Sequence, residues 1–255
     1  DIVNADSRQI YRGMDIGTAK PTAHERRGVR HHLYDIGDPR ESYSLALYRR
    51  DAREALDAIW ERSSFAWLVG GTGQYVWALL EDWQVPEVEP DPQFRARMEF
   101  EAQQYGAHAL HRRLGVVDPV AAERIDARNV RRVIRALEVY EVTGKPISDW
   151  QTKGTPDFEY LLFGIDVPKD ELHERIDRRA DAMFEAGFVD EVRGLLADGV
   201  PADAPAMSSI GYREIVEHLA GRCSLDEAIE ATKRATRQLA RRQMQWFRRD
   251  DPRIT

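Results

Sequence analysis

Asp1-Ile-Val-Asn-Ala-Asp-Ser-Arg-Gln-Ile-Tyr-Arg-Gly-Met-Asp-Ile-Gly-Thr-Ala-Lys-Pro21 is the stretch on which the reading of the fold turns. Ile2 and Val3 have the character of a short buried strand, and Asn4 to Ser7 are turn formers that end it. Asp6 is thereby predicted just beyond the carboxyl end of a strand, where open α/β sheets receive their ligands. Gly13 and Gly17 permit sharp turns, Lys20 returns a cation toward Asp6, and Pro21 stops the segment. An acid, hydroxyls at Ser7 and Thr18, and a lysine on irregular backbone describe a polar site rather than a packed core.

The run from Ala5 to Pro21 resembles the signature of bacterial tRNA dimethylallyltransferases, which prenylate an adenosine beside the anticodon. Segments similar to that family follow in order: His31-His32-Leu33, Leu68 to Tyr75 (L-V-G-G-T-G-Q-Y), Arg131 to Tyr140, and Ile210 to Glu214. Together they span almost the whole chain. The resemblance implies an α/β fold, a parallel sheet flanked by helices and related to phosphate-loop NTPases, with an all-helical insertion. One departure is large. The family's G-x-x-x-x-G-K-[ST] loop does not occur, because Gly144-Lys145 is followed by Pro146 and Gly70-Gly71-Thr72-Gly73 has no lysine after it. The expectation is a chain that starts on the family's second strand, lacks the first strand, loop and helix, and shows no prenyl transfer.

Composition bounds the remaining readings. The chain of 255 residues, 42% hydrophobic and 32% charged, is long enough for a large core and unlike a disordered protein. No apolar run reaches the length of a membrane span, and the acidic, polar start is not a signal peptide. A single cysteine, Cys223, excludes an internal disulfide and agrees with a reducing, cytoplasmic location. The net charge of −7 argues against nucleic acid until its distribution is read. Residues 231–249 hold seven Lys or Arg and no acid, which leaves −14 on the remainder. A cationic stripe on an acidic body suits a polyanion partner.

Along the chain, residues 22–40 read as an irregular polar excursion. Leu45, Tyr48, Ala52, Leu56 and Ile59 recur at helical spacing over 44–62. Phe65 to Val69 reads as a buried strand turned by the following glycines into a helix from Gln74, a βα unit whose helix start can receive an anion. Pro86, Pro90 and Pro92 mark a linker, and helices are predicted over 93–105, 107–114, 119–125 and 130–142. The expected organisation is a core of residues 1–87 and 158–255 with a helical insertion over 88–157. Tyr160 to Val167 is predicted to return to the sheet as a strand. Leu172, Ile176, Ala180 and Met183 form a helical stripe ended by Gly187, and the last helix opens on the Ser224/Glu227 capping box.

The chemistry implied by the resemblance is displacement of diphosphate from dimethylallyl diphosphate by the N6 amine of an adenosine. That amine is a weak nucleophile, so a carboxylate that orients it and takes its proton is needed, and the resemblance gives this role to Asp6. The alternative for Asp6 is a strand-end carboxylate closing an Asx turn. Thr72 is matched to a family threonine near the amine or the diphosphate, although a threonine there also suits a helix N-cap. Arg213 resembles the arginine that meets the diphosphate, the alternative being a surface ion pair with Glu214 or Glu217. Lys20, Gly71 and Gly73 complete the expected diphosphate and substrate contacts. For a tRNA anticodon stem-loop, Ser7, Arg8, Gln9, Arg95, Arg131, Arg132 and Arg135 are expected contacts by resemblance. Arg234, Arg237 and Arg241, with Arg248, fall at spacings that share one face of the last helix. Mg²⁺ is the family's expected cofactor, but no ligand for it is identified. The chain is expected to be monomeric, with no membrane association. Two competing functions are adenylate isopentenyltransferase, acting on free AMP, and a non-catalytic tRNA-binding fragment. The insertion and the basic helix favour tRNA.

Overall fold

The computed structural model describes residues 1–63, 65–150 and 152–255. β1 (Ile2–Asn4) is the central strand, flanked by β2 (His31–His32) and β3 (Trp67–Val69) in the order β2-β1-β3, all parallel. Ile2 faces His31 on one side and Trp67 on the other, and Asn4 faces Val69. Between β1 and β2 lies a short helix, α1 (Ala23–Arg26), started by a Thr22/Glu25 capping box that the polar character of 22–40 concealed. α2 (Leu45–Trp60) is capped by Ser44 and buries Tyr48, Ala52, Leu56 and Ile59, four of the five residues predicted to form its apolar stripe. β3 is not the buried strand expected. Phe65 is 58%, Trp67 52% and Val69 48% exposed. α3 (Gly73–Leu80) follows the glycine turn.

Two compact units divide the chain: Asp1–Trp77 with Phe158–Thr255, and Ala78–Asp157. The second unit is built from α4 (Pro92–Tyr105), α5 (Ala107–Val117), α6 (Pro119–Arg124), α7 (Val130–Thr143) and α8 (Ile147–Trp150). Phe94, Met98, Leu110, Leu114, Val133, Ile134 and Leu137 make its core. Two buried acids fasten it. Asp118 caps α6 through the Ala121 N–H and accepts both the N–H and the hydroxyl of Ser148. Glu138, on α7, accepts from the Asp91 N–H and from two arginines.

In the first unit, α9 (Lys169–Glu185), α10 (Phe188–Ala197), α11 (Tyr212–Leu219) and α12 (Leu225–Trp246) follow. α12 starts at the predicted capping box, with the Glu227 carboxylate returned to the Ser224 N–H. Phe188, Val192, Leu195, Met207, Tyr212 and Ile215 close a core on Tyr11 and Met14 from the N-terminal loop. The predicted strand over 160–167 does not form. Only an isolated bridge joins Leu162 to Ile254, and Leu161, Phe163 and Ile165 stay 82%, 59% and 92% exposed. The run is apolar and extended but pairs with no strand of the sheet among the described residues.

Candidate active site

The end of β1 is gripped by its own last residue. Asn4 is fully buried, and its side-chain amide donates to the carbonyls of Asp6 (3.0 Å) and Leu33 (3.1 Å) while accepting the Asp6 N–H at 2.9 Å. The Tyr48 hydroxyl donates to the Asn4 carbonyl at 3.0 Å, so the sheet-facing side is held as well. Asp6 is thus presented on a backbone fixed at both ends. Its Oδ1 accepts the Arg8 N–H at 2.7 Å. The residue keeps a partly exposed edge, yet enough protein surrounds the carboxylate that desolvation lifts its pKa above the ordinary value. The N–H groups of Arg8 and Gln9, and then the Arg8 charge, offset part of that rise. Burial likewise raises the phenols of Tyr34 and Tyr75, and the Asp6 charge adds to both.

β3 delivers the second functional group. Its glycine turn lies so close to β1 that a Cβ on Gly70 would sit 2.2 Å from the Ala5 carbonyl carbon. The Thr72 N–H donates to the Ala5 carbonyl at 3.1 Å, and the Thr72 hydroxyl accepts the Ser7 N–H at 3.0 Å and donates to the Ser7 hydroxyl at 3.3 Å. Asp6 and Thr72 are therefore brought to the carboxyl ends of adjacent parallel strands, with Ser7 between them. Thr72 also receives the N–H groups of Tyr75 and Val76 at its carbonyl, which starts α3.

Lys20 and Gln9 differ from the expectation. The Lys20 ammonium is buried, 2.6 Å from both Asp15 and Asp35 and 2.8 Å from the Tyr11 carbonyl, so its charge is consumed inside the loop. Gln9 turns its amide to the carbonyls of Thr18 and Ala19. The loop between them is closed by Glu191 of α10, whose carboxylate accepts the successive N–H groups of Asp15, Ile16 and Gly17 and the Tyr212 hydroxyl. Successive N–H groups of this kind make an anion-binding nest. Here the anion is part of the protein.

Arg213 also differs. Its guanidinium lies against Glu214 Oε1 at 2.6 and 3.1 Å, which is the ion pair of the alternative reading, and the Arg213 side chain stays 64% exposed. The groove it lines, with Arg222 and Arg234, carries Glu214, Glu217 and Glu227 beside the three arginines, and that balance makes a poor anion site. Arg175, Arg178 and Arg179 were missed by the sequence reading. They line a groove of about 440 Å³ on α9 with Ala182, and no acid lines it. Arg175 bonds Glu171, whereas Arg178 and Arg179 show no side-chain ion pair among the described residues. Their spacing of three and four residues, off the apolar stripe of the same helix, was the available signal.

α9 packs against α12 in antiparallel fashion, with Lys233 on Asp181 and Arg237 on Asp177. Arg237 is thus committed to the protein by three hydrogen bonds instead of facing a ligand with Arg234 and Arg241. Arg248 lies beyond the helix and pairs with Asp250, and Arg249 pairs with Asp166. Arg234, Arg241 and Arg242 remain exposed, without an ion pair among the described residues. Among the described residues the Arg8 guanidinium donates to the Pro205 carbonyl. In the second unit Arg95 and Arg135 converge on Glu138 at 2.8 Å each, while Arg131 and Arg132 are exposed and unengaged among the described residues. Gly71 and Gly73, expected to allow a substrate close, instead admit residues of α12. An added Cβ would lie 2.1 Å from Gln243 Nε2 and 2.2 Å from the Trp246 ring, respectively.

A buried carboxylate and a hydroxyl at adjacent strand ends, beside a helix with unneutralised arginines, define an α/β enzyme of group transfer related to the phosphate-loop fold. The chain belongs to the IPP transferase family, whose family model matches residues 9–250. It is 51% identical over 249 residues to the tRNA dimethylallyltransferase of Thermomicrobium roseum, covering 98% of this chain and 76% of that protein. The Geobacter metallireducens enzyme of the same name is 49% identical over 253 residues, covering 98% of this chain and 82% of that protein. Among solved structures, the full-length tRNA isopentenylpyrophosphate transferase of Bacillus halodurans superposes with a TM-score of 0.69 at 41% identity, over 100% of this chain and 80% of that one. A eukaryotic dimethylallyltransferase acting on tRNA gives a TM-score of 0.81 at 27% identity, over 97% of this chain and 63% of that one.

Proposed function

We propose that this prenyltransferase moves a dimethylallyl group from dimethylallyl diphosphate to N6 of an adenosine beside the anticodon of tRNA, at position 37. The observation that carries the reading is the desolvated Asp6 carboxylate held beside Thr72 at the mouth of the sheet. In the reaction the N6 lone pair attacks C1 of the dimethylallyl group. The C1–O bond breaks, and its electron pair leaves with the diphosphate. Asp6 accepts the N6 proton, and its raised pKa makes it a stronger base than an exposed aspartate. Thr72 orients the reacting amine or a diphosphate oxygen. As candidate cations for the leaving group, Arg178 and Arg179 carry charge that no acid pairs with among the described residues, unlike Lys20, Arg213 and the Glu171-bonded Arg175.

The expected Mg²⁺ finds no protein-built cage. Among the described residues no group of three or more His, Cys, Asp or Glu side chains could hold a metal. Mg²⁺ is commonly held by phosphate oxygens and water with only one or two carboxylates. Here it would enter with the diphosphate and neutralise charge there, while base, hydroxyl and guanidinium groups of the chain carry the other roles. Arg234, Arg241 and Arg242 supply RNA backbone contacts from α12, and Arg131 and Arg132 supply them from the helical insertion. No described helix is long and apolar enough to cross a membrane. A tRNA substrate implies a cytoplasmic enzyme, and it acts as a monomer.

The test is incubation of the protein, supplied with a family-type G-x-x-x-x-G-K-[ST] strand–loop–helix unit, with tRNA or AMP, dimethylallyl diphosphate and magnesium, followed by mass spectrometry of digested products. Mass gain on an adenosine of tRNA and not on AMP is expected. Modified AMP with untouched tRNA would move the protein to the adenylate-prenylating class.

A further inference from the structure

We infer that Gln243 and Trp246, at the end of α12, are positioning residues that set the Thr72 hydroxyl. The inference rests on the assignment of prenyl transfer to this site. The Thr72 hydroxyl is held against Ser7, but the turn Gly70 to Gly73 has no other side chain, so the backbone that carries Thr72 is placed by contacts from outside the turn. Each glycine is instead held by a different neighbour. Gly70 abuts the Ala5 main chain, Gly71 lies under the Gln243 amide, and Gly73 lies under the Trp246 indole. The Gln243 Nε2 donates to the Gly71 carbonyl at 3.0 Å, next to Thr72 in the chain. Trp246 is fixed in turn, because its carbonyl accepts the Trp77 indole N–H at 3.0 Å, and Trp77 is stacked near Phe247 and under the Arg253 guanidinium.

The same helix carries the exposed arginines. Arg241 and Arg242 directly precede Gln243 in sequence. A rigid helix that meets phosphates with one face and the glycine turn with another links RNA engagement to the geometry of Thr72. A residue that errs by a fraction of an ångström in holding a reacting group can slow the chemical step without altering substrate affinity.

The test is a pair of double-mutant cycles on prenyl transfer, read as kcat with RNA affinity measured separately. Gln243→Ala should lower kcat by roughly tenfold or more while the tRNA dissociation constant changes by less than about twofold. In a Thr72→Ala background the same change should have no further effect, since the hydroxyl it positions is gone. Gly71→Ala should reproduce the loss, because its Cβ displaces the Gln243 amide, and should add nothing once Gln243 is already alanine. Only the end of a flexible side chain has to move, so the fold should survive. Trp246→Phe, which keeps an aromatic cover over Gly73, should retain most of the kcat that Trp246→Ala loses. Additive losses in both cycles, or an unchanged kcat in Gln243→Ala, would overturn the inference. Absence of transfer by the loop-supplied protein before any substitution would instead remove the function on which it rests.

Discussion

Asp6 carries a conflict between stability and chemistry. Its folded-state pKa is raised, so the ionised form is favoured less in the folded chain than in the unfolded one. The stability associated with its protonated form is present below the unfolded pKa and is lost as pH rises through the folded pKa. Asp6→Asn should therefore raise the melting temperature at neutral pH while lowering kcat by roughly 10²-fold or more. At acid pH, where Asp6 is protonated in both states, the stability gain should shrink toward zero. Thermal melts from about pH 3 to 8, paired with a transfer assay, read both effects. A mutant as active as the wild type removes Asp6 as the base. This residue was legible because a turn former after a strand and a family motif coincide on it. Lys20, Arg213 and Gln9 were not legible in the same way. Their charges and amides are spent on Asp35, Glu214 and Thr18, and a single sequence does not say which acid or carbonyl will fold against which cation.

At the scale of elements, α12 separates two kinds of arginine that its sequence presents alike. Replacing Arg234, Arg241 and Arg242 together by Gln should flatten the slope of log K against log[salt] for tRNA by about two to three units if each meets a phosphate. Arg237→Gln should leave that slope unchanged and loosen α9 from α12, visible as a lower melting temperature. Titrations over a series of salt concentrations decide it, and a slope change in Arg237→Gln would contradict the assignment. The helices were readable because apolar periodicity and capping residues agree, as at Ser44 on α2 and Ser224 on α12. The run 160–167 was misread for a physical reason. Apolar extended segments look like strands whether or not a neighbouring edge is there to pair with them.

At the scale of the whole molecule, Glu138 is the most consequential buried charge of the second unit among the described residues. Burial pushes its carboxyl up, but hydrogen bonds from Arg95, Arg135 and the Asp91 N–H more than compensate, and its pKa is held below the ordinary value. The stability this contributes is present above the unfolded pKa and is lost as pH falls through the folded one. Glu138→Gln, which leaves two guanidiniums facing a neutral amide, should destabilise the unit by about 3 kcal/mol. Hydrogen exchange should show faster opening of α4 and α7, with the exchange of α10 and α11 unchanged. Uniform acceleration across both units would mean that they unfold as one. Neither the cage nor its pH sense follows from the sequence alone, since Arg95 and Glu138 stand 43 residues apart.

The clasp of Glu191 on the Asp15–Gly17 backbone joins parts of the chain up to 176 residues apart. A ribosome adds roughly 5–20 residues per second, so about ten to thirty-five seconds of synthesis separate the loop from the carboxylate that closes it. Once residue 69 has emerged β1 can pair with both β2 and β3, but the three N–H groups beside the site still have no acid to accept them. The nascent protein can thus form its sheet long before its loop can be closed. A ribosome stalled before residue 191 would hold a chain whose Asp6 backbone is already ordered by Asn4 while the loop following it is still open to protease.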